Sequence, residues 1–143
     1  MTHIALIISI IFGIAISFFF KNLFCKTITF GLVLSICVPL LFPNQITATI
    51  SFFCAAIMAI LMVIFGFKEL KNNKLKQISV ISLGLLFIVT FVFKFFHYPF
   101  ATYINNAVKL PFLLYLIAII TDKQHFTKEI SFMIIWLPII FLM

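Results

Sequence analysis

Residues 46–67 read ITATISFFCAAIMAILMVIFGF, and residues 68–77 read KELKNNKLKQ. The first stretch carries no formal charge; the second packs four lysines and a glutamate into one loop. A helix rises 1.5 Å per residue and needs about 20 apolar residues to cross a ~30 Å hydrocarbon layer. Residues 46–67 are long enough, and the lysine loop is their water-facing stop. Working outward, the remaining charges cut the chain into further apolar runs at 4–20, 27–42, 78–96, 103–121 and 130–143. Lys21 and Lys26 close the first, and Pro43-Asn44-Gln45 ends the second. These runs are apolar on every face, whereas the strands of a membrane barrel alternate apolar and polar residues. The fold class expected is all-α, a polytopic membrane protein of six transmembrane helices forming a single transmembrane domain over residues 1–143. Runs one, three and four reach spanning length, run two is marginal, and run five reaches it only with Lys109 inside. Run six is short.

Composition argues the same way. The chain has 143 residues, 65% hydrophobic and 9% charged, with a mean hydropathy of +1.33. Soluble domains are about 45–50% apolar and about 25% charged, and a small fold buries only about two-thirds of its surface, so a soluble monomer is excluded. Three cysteines make no disulfide framework. The lysines are ordered by topology. Lys21 and Lys26, then Lys68, Lys71, Lys74 and Lys76, then Lys123 and Lys128 follow runs one, three and five, placing eight of the ten on one side. Short Lys-rich loops stay cytoplasmic, so both termini are expected outside, in the inner (cytoplasmic) membrane of a cell. The positive charge follows the first run instead of preceding it, which reads as a retained span and not a cleavable signal. The net charge of +7 is thus a topology signal. The partners expected are the lipid bilayer and either a second copy or another membrane protein, with no nucleic acid.

Helices in lipid associate by close backbone approach at small residues. Run one offers Ala5, Ser9, Gly13 and Ser17. Run two offers Thr27, Gly31 and Ser35, then Pro39. Run three offers Thr47, Ser51, Ala55 and Ala59. Each set is spaced by four, which predicts a tight unit of the first three spans. Runs four to six are rich in phenylalanine instead. Pro39 is expected to bend the end of span two, and Pro138 to leave span six bent or partly re-entrant.

The chemistry-bearing positions are few. Lys94, His97 and Lys109, with Asn105 and Asn106, would form a cationic pocket suited to a phosphate headgroup or small anion. The competing reading has Lys94 snorkel its ammonium outward along its alkyl stem. Asp122, His125 and Glu129 stand at i, i+3 and i+7, a spacing that could serve a metal; a solvated turn between spans is the reading adopted, so no metal and no cofactor is expected. Cys37 and Cys54 read as small apolar filler. Glu69, Asp122 and Glu129 are the only acids, and all fall in loops, which disfavours ion-coupled transport. There is no Walker loop, dinucleotide fingerprint, HExxH or nucleophile elbow. The function expected is a small non-catalytic membrane protein, an oligomeric or accessory subunit of a larger membrane complex. The alternative is an outer-leaflet lipid- or anion-binding protein using the Lys/His cluster.

Lys94-Phe95-Phe96-His97-Tyr98-Pro99-Phe100-Ala101 resembles the Lys-x-x-His-Trp-Pro-Gly-Ala pattern of the membrane subunit of the Bacteroidetes gliding and type IX secretion motor. In that family the pattern marks the outer end of the first of two helices. The resemblance covers eight residues and departs at Tyr98 and Phe100. The family's proton-carrying glutamate falls near Phe112, which is apolar. It implies a shared hairpin type in a bacterial protein, with this turn on the outer face, and no motor function.

Overall fold

A helix starts where a side chain can hold its first free amides and stops where the backbone cannot continue the ladder. The computed structural model describes residues 2–121 and 127–142. These form α1 (Thr2–Phe19), α2 (Leu23–Leu41), α3 (Gln45–Glu69), α4 (Lys74–Phe95), α5 (Ala101–Ala107), α6 (Lys109–Thr121) and α7 (Ile130–Leu142). The architecture is all-helical, and α2, α3 and α4 are long and apolar enough to cross a membrane.

Caps account for most departures from the expected boundaries. Asn22 Oδ1 accepts from the Cys25 amide at 3.2 Å, so α2 begins at Leu23 and not at residue 27. Lys26 then sits in its first turn, with its ammonium 5.7 Å from the centre of the Phe18 ring. The run that looked marginal becomes a full-length helix, while the apolar part of α1, Ile4–Phe19, is among the shorter ones. Asn73 repeats the device, its Oδ1 accepting from the Lys76 amide at 3.2 Å, and α4 starts at Lys74 instead of 78. At the other end of α2, Pro39 lies inside the helix, which ends two residues later. The α7 backbone is helical through position 138.

The fifth run departs most. It is two helices, α5 and α6, meeting at Val108. Pro111 has no amide to donate to the carbonyl four residues back, and its ring crowds that group. The residue four back is Ala107, the last of α5.

The chain divides into two compact units, residues 1–58 with 126–143, and residues 59–125, the boundary falling within α3. In the first, Ser9, Gly13 and Ser17 are buried on one stripe of α1. A Cβ at Gly13 would lie 2.7 Å from the Ser131 carbonyl oxygen and 2.7 Å from Ile135 Cγ1. At Gly13 the α1 stripe therefore meets α7. Phe132, Met133, Ile135 and Trp136 complete the buried face of α7. In the second unit, a Cβ at Gly84 would lie 2.7 Å from Val63 Cγ2 and 2.9 Å from the Ala59 carbonyl oxygen. Gln77 Nε2 donates to the Gly66 carbonyl at 3.2 Å. Met62, Phe65, Val80, Leu83, Phe112 and Tyr115 are buried there.

Candidate functional site at the turn between α4 and α5

The residues from Phe93 to Pro99 end a helix by local chemistry alone. His97 has φ 55°, the left-handed region that glycine usually supplies at a helix C-terminus. The Tyr98 amide donates to the Phe93 carbonyl at 2.9 Å, and the His97 amide to the Lys94 carbonyl at 3.3 Å. Together these are the two bonds of a Schellman motif. Its usual hydrophobic contact is present too: the Phe93 and Tyr98 rings meet edge to face at 5.2 Å. Pro99 follows, where the chain can no longer be helical. The positions that carry the family resemblance, Lys94, His97, Tyr98 and Pro99, are thus largely the parts of a helix stop.

Around this turn the aromatic side chains stand outward. Phe95, Phe96, Tyr98, Phe100 and Tyr103 are all exposed, Tyr103 to 74%. They touch one another in series, Phe95 on Phe96 at 5.3 Å, Phe96 on Tyr98 at 5.9 Å and Phe100 on Tyr103 at 6.2 Å. Lys94 and His97 are exposed within the same segment. Lys109, at the start of α6, donates from Nζ to Asn106 Oδ1 at 2.9 Å. Of the expected pocket, the structure joins Lys109 to Asn106 and places Lys94 and His97 on the turn. Asn105 lies on α5, its side chain outside the described residues.

The packing candidates divide by burial. Ser9, Gly13, Ser17, Ser51 and Ala59 are buried, Gly31, Ser35 and Ala55 are half-buried, and Ala5 is exposed. Next to Gly31 the neighbour is the flexible Met58 side chain. Ser51 Oγ is buried without a hydrogen-bond partner.

Asp122 and His125 lie outside the described residues. Glu129 does not sit in a solvated turn as expected: it is 0% exposed, and the Thr127 hydroxyl donates to its Oε1. Lys76, assigned to water with the rest of the lysine loop, is 1% exposed. Charge in a sequence marks a loop only where the side chain stays outside the packing, and these two do not. Sequence reasoning also missed the pair Thr29 and Ser131, both fully buried, whose hydroxyl oxygens lie 3.2 Å apart across α2 and α7. Cys25, Cys37 and Cys54 are free thiols.

No protein-family model, curated protein or solved structure matches the chain.

Proposed function

We propose that this chain is a multi-pass protein of a bacterial cytoplasmic membrane, with six membrane-crossing segments and both termini outside, that acts as a non-catalytic subunit. It assembles with further copies of itself or with a larger membrane complex. The observation that supports this reading is the outer end of the α2–α3 hairpin. From Val33 to Ile50 no residue is buried, although the segment lies between two well-packed stretches. Ile28, Thr29 and Leu32 are buried just before it, and Ser51 just after.

The hairpin end is also prepared for an apolar surrounding. Ser35 donates to the Leu32 carbonyl at 2.8 Å and Thr49 to the Gln45 carbonyl at 2.9 Å. The Thr47 hydroxyl donates to the Phe42 carbonyl. Each of these hydroxyls is satisfied by its own backbone, so none of the three is left unmet where the helices are laid against lipid or another helix.

The test is oxidative cross-linking through Cys37, half-buried on this hairpin, in native membranes, with Cys25 and Cys54 changed to Ala. A Cys37-dependent dimer, or a covalent adduct with a second membrane protein, is expected. Purification as a stable monomer with no adduct and no companion protein would overturn the proposal.

A further inference from the structure

We infer that the turn from Lys94 to Tyr103, with Lys109, is a binding surface for anionic phospholipid headgroups. The helix α4 has 22 residues, about 33 Å at 1.5 Å per residue, which matches the ~30 Å hydrocarbon layer. A bilayer crossed by α4 therefore brings its last turn to the membrane–water boundary. The backbone agrees, because residues 96–100 are not helical, and non-helical backbone is not tolerated facing lipid within the hydrocarbon.

The side chains are those of that boundary. Exposed Phe95, Phe96 and Phe100 need acyl chain. The ammonium of exposed Lys94 needs water or an anion, and Tyr98 and Tyr103 carry both characters in one ring. The headgroup layer satisfies all of them together.

Charge selects the lipid. No carboxylate occurs between Glu69 and Asp122, so the segment itself supplies no anion to Lys94, His97 or Lys109. Asn106 already holds the Lys109 ammonium by one of its three donors, leaving two for an outside acceptor. A phosphate diester bearing a net negative headgroup offers these lysines an anion whose charge nothing in the same lipid offsets. A zwitterionic lipid offers the same phosphate with its own cation beside it.

This inference rests only on α4 crossing a bilayer and not on the subunit role of the hairpin. It is tested by replacing Tyr98 with the photo-cross-linker p-benzoylphenylalanine. The protein is reconstituted in vesicles of equal phosphatidylcholine and phosphatidylglycerol, and the captured lipids are identified by mass spectrometry. Phosphatidylglycerol is expected in several-fold excess, falling to parity in K94Q/K109Q and restored in K94R/K109R. Parity in the wild-type background, or an excess unchanged by K94Q/K109Q, would overturn the headgroup selectivity. Capture of no lipid at all would overturn the placement of the turn at the membrane surface.

Discussion

The first compact unit contains two kinds of helix contact. Around Gly13, α1 and α7 approach so closely that a methyl group would strike the Ser131 backbone. Around Gly31, α2 approaches α3 with a methionine side chain between them. Both glycines were flagged by the same four-residue spacing, yet one abuts rigid backbone and the other a flexible thioether. Spacing finds glycines that could sit at an interface; it does not say what is opposite.

The largest effect is expected at the rigid contact. Gly13→Val should cost about 3 kcal/mol, near the top of the range for overpacking a fitted contact, read as lost stability in reversible unfolding from detergent micelles. His97→Gly works in the opposite direction. A left-handed backbone costs an L-residue roughly 1–2 kcal/mol, so the variant should gain about 1 kcal/mol by the same measurement, with His97→Val losing stability instead. Thr29→Val removes the hydroxyl beside Ser131, and interhelical hydroxyl contacts in membranes average about 0.6 kcal/mol. A loss of that size is expected, with none on top of it in a Ser131→Ala background. Gly31→Ala should lie within about 0.5 kcal/mol of wild type, the gain in helix propensity offsetting the displacement of Met58. Equal losses at Gly13 and Gly31 would erase the distinction between the two contacts.

The second unit adds a contrast of its own. A Cβ at Gly84 would lie close to the Ala59 carbonyl oxygen, and this position was not on any predicted stripe because it stands among bulky residues. The turn after α4, by comparison, was legible residue by residue. Lys94, His97 and Tyr98 act through bonds to neighbours five or fewer positions away, and Pro99 through its own ring, so the local chain contains most of the information that shapes them. Pro111 was equally local, and its consequence for Ala107 could have been read from the same rule that was applied to Pro39.

What the amino-acid string determined alone is the all-helical class and the apolar character of the long helices. Both follow from how far apart the charges stand, a property of the chain and not of its folding. Asn22 and Asn73 could in principle have been added to that reading, since a cap acts within three residues. Tertiary structure decided the rest. It placed α7 on the Gly13 stripe and took the charges of Lys76 and Glu129 out of water. It also left the end of the α2–α3 hairpin uncovered. These outcomes depend on residues far apart in the chain, and whether a side chain is buried is decided by what packs over it.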